Sequence, residues 1–274
     1  MKKKRKLKYS NIIIFIILLV SLIIFTISIK NIITWYKDSK STNEELDEIN
    51  KNTTIEDIPD NTNTEVIPPS KDISLDDPYW SYISTNLIDV DFNNLLSTNN
   101  DTVGWIQVPG TNVNYPFVKT TDNSYYLNYS FNKSYNTSGW VFLDYRNNFT
   151  SDKNLIIYAH GRYDNTMFGS LRNITTNGWL NNPDNFIIKI STPEENTLWQ
   201  IFSIYKIPNT SDYLDVSFNT PEDFLTFTTK LINRSIYNFN TKVSSTDRII
   251  TLSTCYNDDI KSVIHAKLIK KEKR

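Results

Sequence analysis

The sequence predicts a mainly β fold, a closed or nearly closed barrel of eight strands, preceded by a single transmembrane helix. Eight short apolar runs separated by turn residues fall within the 196 residues after Pro78, a density that suggests a barrel. One amphipathic helix interrupts them. A continuous apolar run near the N-terminus is long enough to cross a bilayer.

The strands are expected at Trp105 to Val108, Val113 to Val118, Gly139 to Leu143, Asn154 to His160, Phe186 to Ile190, Leu198 to Ile207, Arg248 to Cys255 and Lys261 to Ile269, each bounded by turn-prone residues. A short helix is expected near Asp91 to Ser97. Between the sixth and seventh strands Thr220 can cap a longer helix, with Pro221 in its first turn and Asp223 facing the N-terminal dipole. Phe224, Phe227, Thr228 and Leu231 share one face of it and should pack on the barrel.

The apolar helix is expected over Ile12 to Ile29, interrupted only by Ser21, Thr26 and Ser28. At ~1.5 Å per residue it spans about 27 Å, close to the hydrocarbon thickness of a bilayer. A cleaved signal peptide would have a shorter apolar stretch and small residues at its end, whereas Lys30-Asn31-Ile32-Ile33-Thr34-Trp35-Tyr36 follows here. Six cations, Lys2, Lys3, Lys4, Arg5, Lys6 and Lys8, precede the run. They orient it with the N-terminus cytoplasmic and the rest of the chain outside, with Trp35 and Tyr36 at the outer interface. The expected organisation is a basic N-terminus (1–11), a transmembrane anchor (12–30), an extracellular polar linker (31–76), a folded body (77–270) and a tail (271–274). From Asp38 to Asp76 the composition is polar with isolated aliphatics in no sustained period, too little apolar surface to offset the entropy of ordering.

Composition excludes several classes. The chain carries 29 Lys and Arg against 30 Asp and Glu, so beyond the basic N-terminus 23 cations face 30 acids, a net −7. An acidic body does not suit nucleic-acid binding. One Cys, two His and six Gly among 274 residues leave no internal disulfide, little for a zinc site and no phosphate-cradling loop. No metal site or cofactor is implied.

The lone Cys255 ends the run Ile249-Ile250-Thr251-Leu252-Ser253-Thr254-Cys255, before the turn-prone Tyr256-Asn257-Asp258-Asp259. A lone cysteine is often a small buried hydrophobe, yet one at a strand exit of an exported protein is a candidate nucleophile. It needs a partner to supply its thiolate, because a free thiol of pKa ~8.5 is mostly protonated at neutral pH. If Lys261 sits opposite Cys255 in a hairpin, His265 falls opposite Thr251, roughly 13 Å from the thiol at ~3.3 Å per residue. His265 is therefore read as structural, while His160, at the exit of another strand, could converge with Cys255 on one rim of a barrel. Lys261 could support a thiolate or an oxyanion, or be a solvated strand lysine.

Thr251-Leu252-Ser253-Thr254-Cys255 resembles the nucleophile motif of sortases, and the neighbouring segments resemble class B. They are Gly104-Trp105-Ile106-Gln107-Val108-Pro109-Gly110-Thr111 with Asn114-Tyr115-Pro116, Asp122-Asn123-Ser124-Tyr125-Tyr126-Leu127, Phe142-Leu143-Asp144-Tyr145-Arg146-Asn147, and Ile156-Ile157-Tyr158-Ala159-His160 with Thr166-Met167-Phe168. Their order is kept from about Pro78 to Ile269. The resemblance implies an eight-stranded sortase-type β-barrel with N-terminal helices and a helix before the nucleophile strand. It implies a cysteine transpeptidase in which Cys255 cleaves a C-terminal sorting signal after Thr and His160 moves the proton. Its partners would be secreted proteins bearing an NPxTN-like or S/PPxTG-like motif and a peptidoglycan precursor amine. By the same resemblance Asn123, Leu127, Tyr158, Ser253, Tyr213 and Leu214 line the peptide groove. One position departs: Lys261 stands where family members carry Arg, and lysine lacks the planar donor fork of a guanidinium. That departure keeps a peptide-binding module with little turnover as the alternative. Another cysteine enzyme of the cell wall, a cysteine peptidase or an L,D-transpeptidase, is a third reading; the latter's Ser-His-Gly-Cys setting is absent.

Overall fold

The computed structural model describes residues 9–69, 73–74, 77–255 and 260–274. The basic cluster before Tyr9 and the turn expected at 256–259 lie outside the described residues. The chain divides into two compact units, residues 1–41 and 42–274.

Helix α1 (Tyr9–Asn52) supplies all of the first unit's described structure. An apolar window within it has a mean hydropathy of 3.3 and no buried residue. The helix is thus long and apolar enough to cross a membrane, by length and composition.

In the second unit β1 (Ile55–Ile58) pairs antiparallel with β3 (Leu87–Val90), and β2 (Thr64–Val66) lies between them in sequence. The barrel follows as β4 (Thr102–Gln107), β5 (Asn114–Val118), β6 (Phe142–Leu143), β7 (Asn154–His160), β8 (Ile187–Ser191), β9 (Glu195–Pro208), β10 (Ile249–Cys255) and β11 (Ile260–Lys273). Neighbours run in the order β10-β7-β6-β5-β4-β8-β9-β11, and a β10–β11 pairing joins the two ends. All eight expected strands are present and closed on each other. Pairings are antiparallel except β5–β6 and β7–β10, and the second exception shapes the site. Large side chains fill the core on both faces of the sheet, among them Trp105, Trp199 and Phe117, all fully buried.

The short helix near residue 91 is Asn93–Thr98. The longer one, Pro221–Arg234, begins with a complete capping box in which Thr220 Oγ1 accepts from Asp223 N and Asp223 Oδ2 accepts from Thr220 N. Its Phe224, Phe227 and Leu231 bury against Phe202, Tyr205, Ile249 and Val263 on the barrel strands, each burial contributing about 1.5–3 kcal/mol. This packing braces the strand that ends at Cys255.

Two expectations about segment boundaries are corrected. The stretch read as a polar linker, 31–76, is largely structured: α1 continues to Asn52 and buries Leu46 and Ile49, while β1 and β2 form pairs. Its scattered aliphatics lack a period because each answers a distant partner. Ile55, Ile58 and Ile67 pack on the main core, and β2 covers the edge of β11 through Val66 opposite Lys270. Asp60 meets the fully buried Lys270 ammonium at 2.6 Å, a partner such a charge requires. The tail 271–274 is also no tail: β11 runs to Lys273, opposite Glu195, and Arg274 pairs with Asp89 at 2.8 Å.

Candidate active site

Strand β10 lies between β7 and β11, and its last residue is Cys255. The parallel register with β7 makes His160 its Cα partner on one side, and the antiparallel register with β11 makes Lys261 its partner on the other. Adjacent strands lie ~4.8 Å apart, so three adjacent strands bring His160, Cys255 and Lys261 into one row at the barrel rim. The parallel pairing matters because both β7 and β10 then end at the same rim, so two strand exits distant in sequence coincide.

His160 is half-buried, and its Nε2 lies 2.8 Å from the carbonyl oxygen of Leu127. Burial lowers its pKa; the Leu127 bond opposes that shift and the charge of Arg162 adds to it. The imidazole is thereby kept neutral at neutral pH and able to accept a proton. Arg162 follows two residues beyond the end of the strand, nearly buried and paired with Asp164 at 3.2 Å. Lys261 is half-buried.

His265 is opposite Thr251 in the same hairpin, as the register required. It is fully buried between Tyr205 Oη at 2.7 Å and Thr251 Oγ1 at 2.9 Å, with the Phe202 ring stacked on it. Burial, with a smaller push from Arg234, lowers its pKa to about 3. Both ring nitrogens are engaged, and the residue serves the core.

The six groove candidates separate by exposure. Asn123, Leu127, Tyr158 and Leu214 are partly exposed. Tyr213 and Ser253 are 0 % and 2 % exposed and hydrogen-bonded to each other at 2.9 Å. Beside them lies a network that sequence reading missed. Tyr158 Oη donates to Asp144 Oδ2 at 3.0 Å, and Arg146 grips Asp144 through Nε at 2.9 Å and Nη2 at 2.7 Å. Burial alone would raise the Asp144 pKa, yet the bonds from Arg146 and Tyr158 hold it below the usual carboxylate value. Arg146 also donates to Leu214 O at 3.1 Å, and Asn123 Oδ1 accepts from Tyr145 N at 2.9 Å. The buried Asp144 carboxylate thus ties, directly and through Arg146, the segments that carry Tyr158 and Leu214, while Asn123 is held by the neighbouring Tyr145 backbone. The only sequence signal was the Asp144-x-Arg146 spacing, which puts an acid and a base on one side of an extended chain.

A cysteine at the end of one strand, a neutral imidazole at the end of its parallel neighbour and a cation across the hairpin form a setting for thiol-based acyl transfer. The family model for the sortase domain matches residues 106–269. Sortase B of Listeria monocytogenes is 35% identical over 65% of this chain and 73% of its own length. Among solved structures, the Staphylococcus aureus sortase B–substrate complex aligns with a TM-score of 0.61 at 33% identity, over 65% of this chain and 84% of that one. A crystal structure of sortase B complexed with triglycine aligns with a TM-score of 0.62 at 33% identity, over 65% and 85%. The chain belongs to the sortase family of cysteine transpeptidases. Within that family it is a class B sortase, as the segments from Gly104 to Phe168 suggested.

Proposed function

We propose that this class B sortase is a membrane-anchored enzyme that cleaves a C-terminal sorting signal of secreted proteins after Thr and transfers the protein to a peptidoglycan amine. The observation that carries this reading is the row His160–Cys255–Lys261 at the end of the parallel strand pair. In the first half-reaction the thiol proton passes to His160 and the thiolate attacks the Thr carbonyl. The tetrahedral intermediate collapses to a thioester as the leaving amine takes the proton back from the imidazolium. In the second half, an incoming amine gives a proton to His160 and attacks the thioester, and the departing Cys255 thiolate takes that proton back. The NPxTN-like or S/PPxTG-like signal and the peptidoglycan precursor amine are the expected substrates. The relatives solved with a substrate and with triglycine support a peptide and an amine in these roles. The apolar part of α1 is the anchor, the N-terminus is cytoplasmic, and residues 42–274 work on the outer face.

Lys261 favours a second reading, a peptide-binding module of low turnover, because an ammonium offers one point charge where family members have a guanidinium fork. Both readings are separated by assaying the full-length chain in detergent micelles on a panel of quenched sorting-signal peptides. Cleavage should vanish in Cys255→Ala and His160→Ala, fall about 10- to 1000-fold in Lys261→Ala as an oxyanion-stabilising cation would, and rise in Lys261→Arg. A silent native chain revived by Lys261→Arg would establish the binding module instead.

A further inference from the structure

The Leu127 carbonyl determines more about His160 than its position. A carbonyl oxygen can only accept, so the 2.8 Å contact from His160 requires a hydrogen on Nε2. In a neutral ring that leaves the lone pair on Nδ1. Among the described residues no other hydrogen-bond partner meets this ring, and no carboxylate orients it, the usual third member of such an arrangement.

The carbonyl is held from three directions. Leu127 closes a 3-10 turn, Tyr125–Leu127, whose entry is fixed by Asp122 Oδ1 accepting from Ser124 N at 2.6 Å and Tyr125 N at 2.8 Å. The preceding carbonyl, of Tyr126, is tied down by Trp140 N at 2.8 Å. Gly139 then passes directly over the pair with φ +60°, a conformation few L side chains adopt. A Cβ at position 139 would collide with Tyr126 O, stand 2.9 Å from Leu127 O and stand 3.1 Å from His160 Cδ2. The close approach of backbone to imidazole therefore depends on glycine at 139 twice over, for its φ and for its missing side chain.

We propose that Gly139 and the Leu127 carbonyl are positioning residues that hold His160 as the Nε2–H tautomer, making Nδ1 the atom that exchanges a proton with Cys255 and with the two amines. The inference rests on His160 acting as the proton-transfer partner. The carbonyl takes the place of a triad carboxylate: it fixes ring orientation, and its bond strengthens when the ring becomes imidazolium, offsetting part of the burial that disfavours that charge. Arg162 is the charged group that acts on the ring from beyond β7, while Lys261 on β11 shares its row.

The test uses the full-length chain, labelled with 15N-histidine in detergent micelles, where only His160 and His265 give ring signals. His160→Gln assigns them by removing one set. Above the titration of His160, the native chain should show a protonated Nε2 and a bare Nδ1; an Nδ1–H tautomer or an even mixture would overturn the inference. Gly139→Ala should lose the single tautomer and lower kcat about 10- to 100-fold, within the range general acid-base catalysis supplies, with KM changed less than about threefold. Gly178→Ala is the control, since nothing lies within 4 Å of a Cβ there, and it should leave both unchanged. A Gly139→Ala chain that keeps tautomer and kcat would overturn the proposal, and if that variant does not fold, the tautomer of the native chain still decides. Cleavage surviving in His160→Gln would overturn the reading on which the inference rests, whereas an Nδ1–H tautomer in a native chain whose activity needs His160 would overturn the inference alone.

Discussion

The two histidines show how position on neighbouring strands, and not residue type, assigns chemistry. His160 lies in the Cys255 row, half-buried and bonded through one nitrogen. His265 lies four residues back from that row, with both nitrogens committed. Burial drops the His265 pKa to about 3, against about 6.5 in an unfolded chain. The unfolded chain therefore binds a proton that the folded one refuses, and stability falls as pH drops from about 6.5 towards 3. His160, also lowered, adds to the same slope. We expect the denaturant midpoint of the native chain to fall between pH 7 and pH 5. His265→Gln should be less stable at pH 7, by about 1–3 kcal/mol for its lost buried hydrogen bonds, yet show a flatter pH dependence over the same interval. A native midpoint that does not move with pH would refute this account of His265.

At the scale of elements, the strands and the long helix were legible because their signals are local. Each barrel strand is a short apolar run between turn residues, and Thr220, Pro221 and Asp223 announce the helix start that the capping box then makes. The hairpin register supposed from the sequence, Cys255 opposite Lys261, is the one observed. The β7–β10 pairing was not legible in this way, since 95 residues separate His160 from Cys255, and strand exits alone do not reveal a parallel neighbour. The Asp144–Arg146–Tyr158 network and the fit of Gly139 over Leu127 were equally hidden, because each depends on segments meeting after the barrel closes. Two variants test the helix as the brace of β10. Thr220→Ala should cost about 1 kcal/mol for the lost cap, and Leu231→Ala about 2–5 kcal/mol for a cavity at a fully buried site. Thermal unfolding would check both; a Leu231→Ala loss below about 0.5 kcal/mol would mean the helix does not brace β10.

Across the whole molecule, the segment before the barrel has two jobs that its composition disguises. Its apolar window has no buried residue, and from Thr42 the chain is part of the folded unit. Leu46 and Ile49 enter the core, β2 covers the edge of β11, and Asp60 neutralises the buried Lys270. A chain beginning at Thr42 should thus unfold at nearly the temperature of the full-length protein. One beginning at residue 77 loses those contacts, including β2 over the β11 edge and the Asp60 partner of Lys270. It should unfold well below the longer fragment or not accumulate as folded protein. Equal melting temperatures for the two fragments would show that residues 42–76 are dispensable to the barrel.

The strand exits of β7 and β10 bring an imidazole beside the cysteine that we propose carries an acyl group between peptide and amine. Mass spectrometry of the intact chain, quenched in acid during turnover of a sorting-signal peptide, tests it most directly. A thioester adduct of the peptide's N-terminal fragment is expected, mapped to Cys255, discharged by an added amine such as triglycine and absent in Cys255→Ala. Peptide cleavage without any adduct on Cys255, or an adduct at another residue, would contradict it.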